Sequence, residues 1–309
     1  MLLVPATVSL MAGETPLPVV IYSRVADDYE RALQADGRPQ REHYAIAYGG
    51  RAEGTIWDNT QAKEDFPAIA GTLAQELAKE NYFFAQGKQD ADLLIAIYWG
   101  RTDPHDPAKF NNGENAVRDA QRATDAAYNT VYQDSENRGR LGAVADARGQ
   151  LKSALALVRL ENRMGEQRDE ETAKVLGYTD ELSRLAQAGA EDHFAVLFGE
   201  IRDPRYYVLL VAYDFDKIKQ STKKKKPTPR WVTRFSIRTR GVNFMDSIEE
   251  MTLRAGRYFG RDSQRLIRDY QGEVYFGDMT PAPPLGALPQ KTEPISTGSK
   301  VDPTSSAQR

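Results

Sequence analysis

The sequence predicts an α+β fold: one mixed sheet of about four strands in the order β-α-β, helical insertion, β-β-α, with helices packed mainly on one face. Three observations carry this expectation. Residues 42–100 hold an amphipathic stretch between two strand-like runs, residues 205–260 hold two strand-like runs before another amphipathic stretch, and the Ala-rich block between them has helical periodicity.

In chain order, "EHYAIAYGG" (42–50) alternates aromatic and small residues and stops at paired glycines, as a short strand does. In "EDFPAIAGTLAQELAKENY", Phe66, Ile69, Leu73 and Leu77 share one helical face, and Pro67 falls in the first turn, where its missing N–H does no harm. "ADLLIAIYWG" (91–100) is apolar on both faces and reads as an interior strand. From about 111 to 200 the character changes. "ENAVRDAQRATDAAYNTVY" and "LGAVADARGQLKSALALVRLENRM" are amphipathic, with Val144, Leu151, Leu155 and Val158 on one face. Gly139 and Gly142 lie in the break between the two runs, which predicts an antiparallel helical pair. Shorter helical pieces are expected near 169–177 and 180–188, separated by Gly177.

"RYYVLLVAYDF" (205–215) is again apolar on both faces. "RWVTRFSIRTR" (230–240) alternates, with Trp231, Thr233, Phe235 and Ile237 on one side and Arg234, Ser236, Arg238 and Arg240 on a side expected to be wet. "DSIEEMTLRAGRYFG" reads as a helix with an Asp246/Glu249 capping box and a stop at Gly260. The expected organisation is one α+β domain over 14–278, with the helical insertion at about 111–200. A Pro-rich, disordered or extended tail is expected over 279–309, which holds six of the chain's 16 prolines.

Composition narrows the function classes. Of 309 residues 28% are charged and 40% apolar, with a formal net charge of −3, so a dedicated nucleic-acid binder, usually strongly basic, is disfavoured. There are no cysteines, which removes disulfides, Cys-ligated zinc and thiol nucleophiles; three histidines leave little material for His-based chemistry. Leu2 to Ala12 form an apolar run of about signal-peptide length, so residues 1–13 are expected to be a signal-peptide remnant. The basic n-region is missing and the Leu10/Ala12 pair is a poor cleavage site.

The candidate sites are few. Asp103, His105 and Asp106 in "WGRTDPHDPAKF" leave a strand end with oxygen and imidazole groups suited to a divalent cation, against the plainer reading of an exposed Asp-Pro turn. "YGGRAEG" (48–54) fails the spacing of a phosphate-binding loop and reads as a tight turn. His193 in "EDHFAVLF" follows two carboxylates but reads as a surface or part-buried histidine. The best-organised positive feature combines Lys223, Lys224, Lys225 and Lys226, at the tip of a connection of about 14 residues, with Arg230, Arg234, Arg238 and Arg240 beside it. Such a patch suits an anionic membrane surface, each cation near an acidic leaflet contributing ~1 kcal/mol, or else keeps an exposed sheet face soluble. Base-stacking aromatics are missing from that side, which argues against nucleic acid.

With both units laid out, "ADLLIAIYWG" after an amphipathic helix and "YYVLLVAYDF…RWVTRFSIRTR" before a final helix resemble the exported bacterial envelope proteins of the DUF4136-like group, over roughly 42–100 and 205–262. The resemblance implies an extracytoplasmic protein of the periplasm or envelope, non-enzymatic, with no catalytic residues to carry over; the cytoplasm is the alternative. The lipid anchor common in that group does not transfer to a chain without Cys. The expected function is therefore an envelope-associated binding or scaffold protein for a protein partner, with no cofactor. The alternatives are a metal-assisted hydrolase using Asp103, His105 and Asp106, and a protein docking on anionic membrane or nucleic acid through the Lys/Arg patch.

Overall fold

The computed structural model describes residues 17–58, 60, 66–104, 112–133, 139–220, 227–270, 273–276 and 281–282. The expectations for residues 1–13, and for the tail apart from a two-residue ladder at Pro281–Ala282, lie outside the described residues.

The fold is α+β around one mixed sheet, but the sheet is about twice as wide as expected. Its strands are β1 (Val19–Val25), β2 (Glu42–Gly50), β3 (Thr55–Ile56), β4 (Tyr82–Phe84), β5 (Leu93–Thr102), β6 (Arg205–Asp214), β7 (Pro229–Arg238), β8 (Ile267–Tyr270), β9 (Glu273–Phe276) and β10 (Pro281–Ala282). Eight have three residues or more; β3 and β10 are two-residue ladders. The order across the sheet is β10-β9-β8-β1-β7-β6-β5-β2-β4, with β3 paired to β5. The four expected strands, β2, β5, β6 and β7, are contiguous within it. β2 pairs in parallel with β5 and β4, as the intervening helix α1 (Phe66–Lys79) requires, and the remaining ladders are antiparallel. The largest omission is β1, "VVIYSRV". β1 sits between β7 and β8, and its apolar run Val19–Tyr22 is buried on both faces, Val19 and Ile21 in one core cluster and Val20 and Tyr22 in the other.

Helices cover both faces, not mainly one. Alternation on β1 sends Val19 and Ile21 to a first face and Val20 and Tyr22 to a second. On the first face, α1 and α7 (Phe244–Gly256) pack side by side over Ile97, Trp99, Val208, Trp231 and Phe235. The stripe predicted on α1 is buried at Ile69, Leu73 and Leu77, and α7 buries Ile248, Met251 and Ala255. α7 starts two residues earlier than its expected capping box. Its cap is Asn243, whose side-chain oxygen accepts from the Asp246 N–H at 2.9 Å.

The second face is covered by the helical insertion, which leaves β5 and returns into β6 as α2 (Asn112–Gln133), α3 (Gly139–Leu176), α4 (Thr179–Gln187) and α5 (Glu191–Ile201). Its two ends are tied where the Arg205 N–H donates to Thr102 Oγ1 at 3.0 Å. The expected antiparallel pair is α2 against α3, joined along a seam of small buried residues, Ala120, Thr124, Val144, Ala147 and Ala154. α3 does not break near 165 as expected; it runs 38 residues, and its C-terminal end brings Ala173, Val175 and Leu176 onto the sheet beside Leu185 and Leu197. Gly177 ends it at φ +82°, where a Cβ would lie 2.7 Å from Tyr22 Cβ, so only glycine lets the chain turn this close to β1. Among the described residues no helix is long and apolar enough to cross a membrane.

Candidate functional site

The strands that build the apolar first face also build a charged second one. On β7, alternation turns Trp231, Thr233, Phe235 and Ile237 to the first face, which leaves Arg230, Arg234, Ser236 and Arg238 for the second. The expected arginine row exists, but Arg234 lies against the helical insertion, Arg238 is half-buried at the rim, and only Arg240 is fully on a wet surface. The antiparallel register sets Arg205 of β6 directly opposite Arg238 of β7. Like charges in that position repel.

Arg205 is 1% exposed. Its Nε donates to Ser236 Oγ at 3.0 Å and its Nη2 to the Ser236 carbonyl at 3.3 Å. No carboxylate among the described residues forms an ion pair with it. Arg238, half-buried at the rim, pairs with Asp203 at 2.9 Å. Two residues back along β7, Ser236 faces Val20, and Val20 faces Arg268 of β8. Arg268 is almost fully buried and grips Glu200 of α5 with Nε and Nη2, both at 3.1 Å. The Tyr178 hydroxyl donates to the same carboxylate at 3.0 Å. Burial works against the charge on Arg268, but Glu200 outweighs it and holds the guanidinium pKa above its ordinary value. Burial raises the Tyr178 hydroxyl strongly, so it stays a neutral donor.

Between these groups lies a cavity of about 210 Å³. Arg205, Arg238, Glu200 and Tyr270 form its polar side, and Leu17, Pro18 and Val20 its apolar side. Two buried guanidinium nitrogens near it, Arg268 Nη1 and Arg238 Nε, have no hydrogen-bond partner among the described residues. A second, more open groove of about 300 Å³ lies further along β1 and β7, where Arg24, Arg234 and Lys174 face Asp180 and Tyr22. Burial lowers the Arg234 guanidinium pKa there, and the Tyr22 hydroxyl donates to Asp180.

No family model matches this chain, and no curated protein matches it significantly.

The other expected site residues separate. Arg230 is held by Asp214 at 2.8 Å and Asp28 at 3.2 Å, and Arg240 is exposed in the turn after β7. Lys223, Lys224, Lys225 and Lys226 lie outside the described residues; the connection that carries them begins as a short helix, α6 (Phe215–Lys219), capped by Asp214. Asp103 pairs with Arg168 at 3.5 Å, while His105 and Asp106 lie outside the described residues. Among the described residues, no group of three or more His, Asp or Glu could hold a metal ion. The 48–54 loop is a tied-down turn: the Ala52 N–H and the Thr55 hydroxyl both meet the Tyr207 hydroxyl at 2.9 Å. His193 is exposed on α5.

Arg205, Arg268, Glu200 and Tyr178 escaped the sequence reading. A signal did exist for Arg205, because a charge opening a strand apolar on both faces must itself be buried. Chemically, the cavity offers fixed cations and neutral donors. Guanidinium groups stay protonated and bind planar oxyanions with two parallel hydrogen bonds, so the arrangement suits capture of an anion and not proton transfer.

Proposed function

We propose that this is a non-enzymatic binding protein that captures an anionic ligand in the Arg205 cavity. The observation that carries the reading is a cation 1% exposed, set opposite a second arginine, with no carboxylate paired to it among the described residues. Burying an uncompensated charge costs several kcal/mol even after relaxation, so a sheet that retains one has a use for it. An anion entering the cavity supplies the missing charge and meets the unused guanidinium hydrogens. Binding of acetate, inorganic phosphate or benzoate to the full chain, measured by calorimetry at constant ionic strength, tests the proposal. Heat of binding that Arg205→Met removes supports it, and no heat with acetate, phosphate or benzoate sinks it. The resemblance of the two sheet units to envelope proteins supports a location outside the cytoplasm; recovery of the native protein solely in a cytoplasmic fraction would remove that part.

The expected scaffold role rests on a different observation. α2 packs chiefly on α3, and Leu157, Leu160 and Met164, on one side of α3, are 37%, 50% and 44% exposed. In a chain without cysteines, Leu160→Cys gives a single cross-linking position. A discrete cross-linked product in cells supports a contact there, and solvent-like labelling argues against one.

A further inference from the structure

We infer that the ligand of the Arg205 cavity is a small monocarboxylate with an apolar body, an inference that rests on the anion-binding reading above. Three features of the site narrow the class. The first is charge. Three guanidinium groups, Arg205, Arg238 and Arg268, stand with two carboxylates, Glu200 and Asp203, leaving one positive charge to be matched. A monoanion matches it. A phosphate dianion would bring a surplus negative charge beside Glu200, which lines the same cavity.

The second feature is donor geometry. Arg205 spends Nε and one hydrogen of Nη2 on Ser236. What remains is the end of the guanidinium, Nη1 with the other hydrogen of Nη2, a planar pair spaced for the two oxygens of one carboxylate. Ser236 holds the arginine plane from behind, so the fork is oriented before the ligand arrives. A tetrahedral oxyanion would use the same edge and bring further oxygens into the cavity; those turned to Arg238 or Tyr270 could find a donor, and any turned to Leu17, Pro18 or Val20 would not.

The third feature is the apolar side and the size. Leu17 and Pro18, half-buried, line the cavity together with the arginines, and the buried Val20 lies in the sheet between Ser236 and Arg268. A ligand charged at one end and apolar at the other satisfies both sides of the cavity. At about 210 Å³ the space falls below the ~300 Å³ lower end for drug-sized ligands, which suits a single ring or a short chain.

The test titrates the full chain with benzoate, benzamide, acetate and inorganic phosphate at pH 7.5 and constant ionic strength, using calorimetry and thermal shift together. Benzoate is expected to bind at least tenfold more tightly than benzamide, which keeps the ring and loses the charge. It should also bind at least tenfold more tightly than acetate, which keeps the charge and loses the ring. Arg205→Lys, which keeps the charge but loses the fork, should weaken benzoate at least tenfold. Because a change at a fully buried residue can unfold the protein, Arg238→Gln at the rim is the second variant, expected to weaken benzoate about threefold to tenfold with an unchanged circular dichroism spectrum. Phosphate binding more tightly than benzoate, and weakened by Arg238→Gln, would leave the anion-binding reading standing and overturn the monocarboxylate. Benzamide binding as well as benzoate would overturn the monocarboxylate too. Benzoate binding untouched by both variants, or no binding of any anion, would overturn both readings.

Discussion

On the face covered by α1 and α7, strands β1, β5, β6 and β7 contribute Ile21, Ile97, Trp99, Val208, Trp231 and Phe235, each at most 1% exposed. On the face covered by α3, α4 and α5, β1, β6 and β7 contribute Val20, Arg205, Ser236 and Arg238, and the cover leaves a cavity. Buried charge occurs beside both faces, which makes the contrast sharper. Next to α7, Asp269 is fully buried but meets both Arg254 and Arg257. Beneath α5, Arg205 is as deeply buried and has a serine in place of a carboxylate. One face has closed its electrostatics internally and the other has not. The first face therefore holds the fold together, and the second carries a charge that a partner molecule can complete.

The largest expected effect lies on the first face. Trp231→Ala removes a ring packed against Tyr82 and Phe259, at centroid distances of 5.7 and 6.3 Å, and should lower stability by about 3–5 kcal/mol in urea unfolding. A loss below about 1 kcal/mol would mean that the aromatic layer does not dominate the core. Asp269→Ala takes the buried carboxylate from Arg257 and leaves Arg254 paired with Glu250, and should cost a smaller amount, about 1–3 kcal/mol. Arg205→Met is the discriminating experiment. Replacing a buried charge by an apolar side chain of similar length is often neutral or stabilising by about 1–4 kcal/mol. The expected result is a chain at least as stable as the wild type that no longer responds to the anion. If Arg205→Met destabilised the protein as much as Asp269→Ala, the two buried charges would be equivalent and the contrast between the faces would collapse.

What the sequence made legible follows the same division. β2, α1, β5, β6, β7 and α7 declared themselves because their apolar positions recur locally at strand or helix period, and each is read without knowing its neighbours. The alternation of Trp231, Phe235 and Ile237 against Arg234 and Arg238 was correct for the same reason. β1 was hidden in a run of only four strongly apolar residues, and β8 in four residues of which two are charged. Their burial comes from strands distant in the chain. Missing β1 and β8 also meant missing the site. Arg268 reaches the cavity region only because β8 pairs with β1, and Arg205 meets Arg238 only through the β6–β7 register. Periodicity reports which way a side chain points; it does not report which distant side chain stands opposite.

The smallest expected effect uses pH to separate the faces. Asp58 sits at the rim of the first face, accepting from the Thr60 N–H at 2.8 Å and the Thr60 hydroxyl at 2.7 Å, while the same hydroxyl reaches Tyr206 at 3.2 Å. Partial burial alone would raise its pKa, but these donors and the nearby Arg101 outweigh burial and hold the carboxyl below its ordinary value of 3.8. A carboxyl depressed in the folded state contributes stability that is present above the unfolded pKa and is lost as pH falls through the folded pKa. Thr60→Ala should therefore bring the Asp58 pKa, followed by carbon-detected NMR, back up toward 3.8, and it should flatten the acid limb of the stability curve below about pH 4. The second face should not follow. Guanidinium groups as a class do not titrate in this range, so benzoate affinity should stay level from pH 6 to pH 9 while the rim of the first face responds only to acid. A midpoint in benzoate affinity between pH 6 and pH 9 would show a titrating group at the cavity, and the assignment of binding to fixed guanidinium charge would fail.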